Sequence, residues 1–311
     1  MSVKLFDTAE VQAFLKEAAG FNQEGGNPRT KEIVLRILSD LFKTIEDLDI
    51  TPDEYWAGIA YLNQLGQSQE AALLSPGLGL DRYLDMRMDA IDEQLGVAGG
   101  TQRMIEGPLY VAGAPVEQGY ARLDDGSDAN GHLLLMHGTV YDADGNPLPN
   151  AQVEVWHANT KGWYSHFDPT GEQQPFNMRR TIITDDQGRY KFRSILPAGY
   201  GCPPDGPTQQ LLNQLGRHGN RPAHLHFFVS ADGHRKLTTQ INIDGDPYVN
   251  DDFAYAVHDD LVPPVTEVTD EARMKEENME APFAEIVFDI TLTPLVDGED
   301  NQAVERPRLV G

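Results

Sequence analysis

Two hydrophobic periods divide this chain. Over the first hundred residues apolar positions recur at intervals of three and four. Val11, Phe14, Leu15, Ala18 and Ala19 form one stripe, and Ile33, Val34, Ile37, Leu38, Leu41, Ile45 and Leu48 form a longer one. That spacing puts each set on one side of an α-helix. Asp7 with Glu10 has the shape of a capping box. Thr51-Pro52 with Glu54 joins an N-cap, a first-turn proline and a carboxylate able to reach back. Trp56, Ile59, Ala60 and Leu62 follow, Gly66 reads as the end of that helix, and a last helix is predicted from Asp81 to Leu95. These stripes suit either an intramolecular core or a face shared with a second chain, and periodicity alone does not choose.

Gly99-Gly100 and the prolines at Pro108 and Pro115 mark a change of period. From Leu133 the pattern becomes short β runs separated by turn residues: Leu133 to Val140, Gln152 to His157, Thr181 to Thr184, Tyr190 to Ile195, Ala223 to Ser230, Leu237 to Ile243 and Ala284 to Leu292. Turns are read at Asp142 to Pro147 and at Asp185 to Gly188. The stretch from Tyr200 to Asn220, rich in Gly, Pro and Gln, is read as a long and therefore functional loop. Many short strands with tight turns and no βαβ alternation predict an α+β protein. A helical domain over 1–100 would precede an antiparallel β-sandwich over 101–311.

Composition narrows the function classes. The chain has 311 residues and a net charge of −25, which repels phosphate backbones and anionic lipid surfaces, so neither nucleic acid nor membrane is an expected partner. Cys202 is the lone cysteine, which fits a reducing compartment and rules out an intramolecular disulfide. The first residues carry no apolar signal segment and no stretch is long enough to span a bilayer, so the expected location is the cytoplasm.

The clearest chemical signal is His224-Leu225-His226. On a strand these two imidazoles share a face and can hold one metal ion. A lone His-x-His also arises by chance, so further ligands matter. With one cysteine, thiolate zinc and iron–sulfur sites are excluded. His166-Phe167-Asp168 has the His-x-Asp shape of ferrous facial-triad oxygenases. A third histidine such as His234 would suit zinc or copper. Tyr164 and Tyr200 would supply two phenolates, hard anionic donors that favour ferric over ferrous iron. A binding module with a small prealbumin-like sandwich is the reading outside catalysis, carried by the strand–turn–strand pattern from Gly138 to Gly145.

Several segments resemble one family. Met136-His137-Gly138-Thr139-Val140, Gly145, Leu148, Val153-Glu154-Val155 and Gly162-Trp163-Tyr164 are similar, at fixed gaps, to the signature of intradiol ring-cleavage dioxygenases. Ile105 to Tyr110, Leu196 to Tyr200 and Arg221 to His226 agree with it. The helical leader, including Leu73 to Gly77, resembles that of the catechol 1,2-dioxygenase branch.

The resemblance implies one ferric iron per subunit held by Tyr164, Tyr200, His224 and His226, with Tyr200 as the labile ligand and base. It implies that Arg221, with Gln240 beside it, stabilises charge on the attacked carbon. It implies a substrate wall of Leu73, Pro76, Ile105, Pro108, Leu109 and Phe253. The expected reaction takes catechol and dioxygen to cis,cis-muconate in aromatic catabolism, with hydroxyquinol or chlorocatechols as the alternative substrates. A homodimer, or a heterodimer with a close paralogue, and a phospholipid in the helical interface are also implied. Gly199 and Gly201 would let the Tyr200 loop move, and Cys202 would be a point of attack for thiol reagents or mercury.

Overall fold

Helices occupy the first part of the chain and strands the rest, as the two periods require. The computed structural model describes residues 3–97, 99–128 and 131–296, together with a short strand at 309–310. The first helices are α1 (Ala9–Ala18), α2 (Pro28–Asp47), α3 (Pro52–Gln67), α4 (Ala71–Gly77) and α5 (Leu80–Leu95). The strands of the middle segment are β1 (Val111–Ala112), β2 (Val116–Gln118), β3 (Tyr120–Arg122), β4 (Leu133–Tyr141), β5 (Gln152–His157), β6 (Arg179–Ile183), β7 (Arg189–Ile195) and β8 (Tyr200–Gly201). Helix α6 (Pro207–Gln214) leads to β9 (Asn220–Arg221), β10 (His224–Ser230), β11 (Leu237–Asn242) and β12 (Thr266–Val268). Helix α7 (Glu271–Glu276), β13 (Phe283–Val287), β14 (Ile290–Thr291) and β15 (Leu309–Val310) complete the order.

Local chemistry explains the helix ends. Thr51 accepts from Glu54 N at 3.3 Å while Glu54 accepts from Thr51 N at 2.9 Å, the reciprocal capping box expected there. At α1 the cap is Thr8 rather than Asp7: its hydroxyl accepts from Val11 N, and Glu10 sits in the first turn. Helix α3 runs through Gly66 and stops where Gln69 turns to a positive φ of 57°. The long segment after Tyr200 is not all loop, since Pro207 starts α6 from its first-turn position.

The chain divides into two compact units between Ser68 and Gln69, well before the change of composition at Gly99-Gly100. Helices α4 and α5 belong with the strands because they are tied to them. Glu70 accepts from Thr208 N at 2.9 Å, Arg217 donates to Gly77 O at 2.6 Å, Arg103 pairs with Asp89 at 2.7 Å and Arg235 with Asp92 at 2.6 Å. In the first unit the long stripe of α2 is no core: none of its residues is buried, and Ile37 and Leu41 are each 52 % exposed.

The second unit is built on two sheets. One has the order β11-β10-β5-β6-β2 and the other β12-β13-β4-β7-β3, with β14 also on β4. Leu134 and Met136 of β4, Phe192 of β7, Val153 and Val155 of β5 and Leu225, Phe227 and Val229 of β10 share one core. This is the expected sandwich with one correction: the central ladders are antiparallel, but β2–β6, β3–β7, β13–β4 and β14–β4 are parallel. The run read as a single strand from Ala284 to Leu292 breaks into β13 and β14. There the chain turns in over Gly138, where any Cβ would strike Phe288 O, and Asp289 accepts from Thr139 N at 2.8 Å.

His157, at the end of β5, is fully enclosed, donating from Nδ1 to Ala158 O at 2.7 Å and bonded at Nε2 to Ser194 Oγ at 2.7 Å. Burial pushes its imidazole down to about 4, with the nearby Arg179 acting the same way. The unfolded chain therefore binds a proton that the folded chain refuses, and stability is lost as pH falls from the unfolded value near 6.5 toward 4. The expected contribution is about 3 kcal/mol. Urea unfolding of the wild type and His157→Gln across this window checks it: the wild-type pH dependence should be steeper, and equal slopes would refute the assignment.

Candidate metal centre

Strand alternation builds the site. In β10, Leu225, Phe227 and Val229 enter the core between the sheets, so His224, His226 and Phe228 project from the opposite face. The pairing register aligns His226 with Gln240 on β11 and with Trp156 on β5, and aligns Trp156 with Arg179 on β6. One row across four strands thus reads Gln240, His226, Trp156, Arg179, and no member is more than 1 % exposed. The indole of Trp156 lies flat on His226, with centroids 4.9 Å apart and planes 6° from parallel.

The two tyrosines arrive on turns. After β5, Asn159 organises the first: its side-chain oxygen accepts from Lys161 N and Trp163 N, both at 3.0 Å. Gly162 takes a φ of 78°, and a Cβ there would lie 2.9 Å from Cβ of Tyr200, so glycine is needed both for the turn and for the approach of the second tyrosine. Tyr200 is on β8, paired with Arg221 of β9. Its flanking glycines are not in the left-handed region. A Cβ on Gly199 would lie 2.5 Å from Arg221 O and one on Gly201 2.8 Å from Asn220 Oδ1, so they serve the close approach of β9.

Four donors converge. Nε2 of His224 is 3.1 Å from Nε2 of His226 and 3.3 Å from the hydroxyl of Tyr164. The Tyr200 ring stands perpendicular to that of Tyr164 at 5.6 Å and lies 5.4 Å from His224. His224 donates from Nδ1 to Pro222 O at 2.6 Å, which leaves its Nε2 lone pair facing inward. Burial drives both imidazoles well below their usual range and so keeps them neutral, the form that binds metal. Burial likewise pushes the Tyr164 phenol up, so a phenolate there requires a cation. Donors bound at about 2 Å to one ion sit about 3 Å apart, which is the spacing of His224 Nε2 from His226 Nε2 and from the Tyr164 hydroxyl. The residues fit a hard, high-valent cation.

Arg221 borders this cluster. It is 3 % exposed, its Nη1 lies 3.0 Å from His224 Nε2, and its Nη2 donates to Gln240 Oε1 at 2.9 Å. Asp252 pairs with it at 3.1 Å and accepts from Ala254 N and Ala256 N. Burial opposes the Arg221 charge, but Asp252 prevails and pushes the guanidinium up. Gln240 is itself fixed by donating to Ala256 O at 2.6 Å.

The rival donor sets do not assemble. His166 is exposed and its Nε2 accepts from Phe176 N, while Asp168 accepts from Thr170 N and Thr170 Oγ1. His234 sits on an exposed turn, its Nδ1 bonded to Asp232 O. Among the described residues no three His, Cys, Asp or Glu side chains gather as metal ligands.

The expected substrate wall is spread over more than one environment. Ile105 and Phe253 lie in the main core with Leu73 packed against it, and Phe253 meets Gly77 beside the buried Pro76. Leu109 joins the aromatic cluster of Trp156, Tyr164 and Phe228, and Gly107 brings this segment over the His226 ring, while Pro108 is exposed. Cys202 is buried in the main core. Sequence reasoning missed Asp252, Arg179 and the Trp156 stack. Only the two-residue spacing of Glu154 and Trp156, opposite in phase to Val153 and Val155, hinted at the last.

Known proteins match this chain over its full length. A family model described as "Dioxygenase" matches residues 105–294, and one described as "Catechol dioxygenase N terminus" matches residues 27–96. Catechol 1,2-dioxygenase of Acinetobacter baylyi is 71 % identical over 309 residues, 99 % of each chain. Catechol 1,2-dioxygenase 1 of Acinetobacter lwoffii is 58 % identical over 309 residues, 99 % of this chain and 98 % of that one. The solved structure of catechol 1,2-dioxygenase from Acinetobacter sp. ADP1 inhibited by bound mercury superposes with a TM-score of 0.97 at 71 % identity, covering 99 % of this chain and all of that one.

Proposed function

This chain belongs to the intradiol ring-cleavage dioxygenase family, non-haem iron enzymes, and from that premise we propose that it opens catechol with dioxygen to cis,cis-muconate. The observation that carries the reading is the convergence of His224, His226 and Tyr164, with Tyr200 beside them and Arg221 at the edge. Tyr164, Tyr200, His224 and His226 would hold one ferric ion. That ion would supply Lewis acidity and a template for a chelating diol.

The chain's own residues do the rest. Tyr200, half-buried on the short β8, would be the base that takes a proton from a catechol hydroxyl. Arg221, desolvated and held by Asp252 and Gln240, places fixed positive charge where the ring becomes electron-rich. Segment 105–109, with Leu73, Pro76 and Phe253, would close an apolar wall around a flat ring and exclude water.

In the first unit, the exposed stripe of α2 supports pairing with a second copy or close paralogue, with a phospholipid in the interface. Sedimentation and lipid extraction of the purified protein test this, and a lipid-free monomer would refute it. Among the described residues no helix is long and apolar enough to cross a membrane, in keeping with a cytoplasmic enzyme.

The deciding experiment is a visible spectrum of the purified protein before and after anaerobic catechol. A broad tyrosinate-to-iron(III) band that moves to longer wavelength on adding catechol is expected. A colourless iron protein would refute the ferric tyrosinate site. A band that responds to hydroxyquinol or a chlorocatechol, but not to catechol, would keep the site and change the substrate.

A further inference from the structure

Arg179 and Arg221 are both buried, but among the described residues only Arg221 has a carboxylate partner. Arg221 has Asp252. Arg179, 1 % exposed, donates from Nε to Ser165 Oγ at 3.0 Å and from Nη2 to Ser165 O at 3.1 Å, while its Nη1 meets no acceptor among the described residues. Among the described residues no carboxylate pairs with it, and the ionisable groups that act on its charge are Tyr164 and Tyr110. Tyr110 is committed elsewhere, donating its hydroxyl to Glu154. A buried guanidinium without an anion is costly, and such groups are rarely kept unpaired. The guanidinium carbon lies 5.7 Å from the centroid of the Tyr164 ring. It also stands on the same face and in the same cross-strand row as His226.

We propose that Arg179 is the internal counter-charge of the Tyr164 phenolate, a positioning residue that tunes the metal through that ligand. The inference rests on the reading of Tyr164 as an iron ligand. As a metal ligand the Tyr164 phenol would lose its proton and become an anion beside a cation that has no carboxylate partner among the described residues, so each would stabilise the other. The positive charge lowers the energy of the phenolate electrons and so raises the energy needed to transfer one to ferric iron. Arg179 also braces Ser165, next to Tyr164, and this purely structural role is the competing explanation.

Full-length, iron-loaded Arg179→Gln and Arg179→Lys separate the two roles. Glutamine keeps a donor for Ser165 and loses the charge; lysine keeps the charge and loses the fork. For Arg179→Gln the expected results are a tyrosinate band at longer wavelength and iron binding, measured by chelator competition, that is roughly 10–100-fold weaker. Arg179→Lys should stay near the wild type in both. If the glutamine variant does not accumulate, Arg179→Met removes the charge with a side chain of similar reach. Band positions unchanged in every variant, or shifted equally by glutamine and lysine, would overturn the proposal. A wild type with no tyrosinate band would instead overturn the ligand assignment beneath it.

Discussion

His226→Ala is expected to yield folded protein with little iron and no measurable ring cleavage. In the proposed site His226 would contribute one of two neutral nitrogens, and its Nε2 lies 3.1 Å from that of His224. Its cross-strand neighbours Gln240 and Trp156 offer only an engaged amide and an indole in its place. Loss of a ligand should weaken iron binding by more than the roughly 10–100-fold typical of outer-shell changes. The substitution also removes the ring on which Trp156 stacks, an interaction of about 1 kcal/mol, so a modest fall in apo-protein stability should accompany it. Metal analysis after reconstitution decides: full occupancy would strike His226 from the ligand set, whereas lost iron with retained fold supports it.

The second large effect falls on Arg221. Arg221→Leu should lower kcat by about 10²–10³-fold, the usual consequence of deleting one preorganised charge donor. It should also cost about 3–5 kcal/mol in stability, because Asp252 is left charged and buried with its partner gone. The two effects have different origins and can be separated. In Arg221→Leu/Asp252→Leu the orphaned charge is absent, so thermal stability should recover in large part while kcat stays low. Recovery of both would mean that Arg221 acts only through the fold. Recovery of neither would point to Asp252 as an organiser of the 252–256 turn through Ala254 N and Ala256 N. Arg221→Lys should fall between, keeping charge but losing the fork that reaches Asp252 and Gln240 together.

Much was legible along the chain because the relevant interactions are local. The capping box at Thr51, the extent of β5, the start of β4 and the common face of His224 and His226 follow from residues within four positions of one another. Helical and strand periods likewise separated the two halves. The resemblance to a known family then supplied the two tyrosines, which residue pattern alone had left as one choice among several. What the chain could not show are relations between distant residues. Asp252 lies 31 positions from Arg221 and carries no local mark that distinguishes it from other surface-type acids. The parallel pairings of β13 and β14 with β4 depend on crossovers that periodicity does not encode.

The unit boundary at Ser68 follows the same logic. Helices α4 and α5 look like the helices before them, and tertiary contacts, among them the bonds to Thr208, Arg217, Arg103 and Arg235, assign them to the sandwich. Arg179 is the sharpest case. In sequence it is one of a pair of basic residues opening a strand, normally solvent-facing. In the folded protein the register through Trp156 sets it in the same cross-strand row as His226, where no carboxylate follows it among the described residues. The sequence by itself determined which elements form and which donor types share a strand face, because short-range sterics and side-chain alternation decide those. Only the tertiary structure decided which charges are left to meet inside, because burial and strand register bring them together.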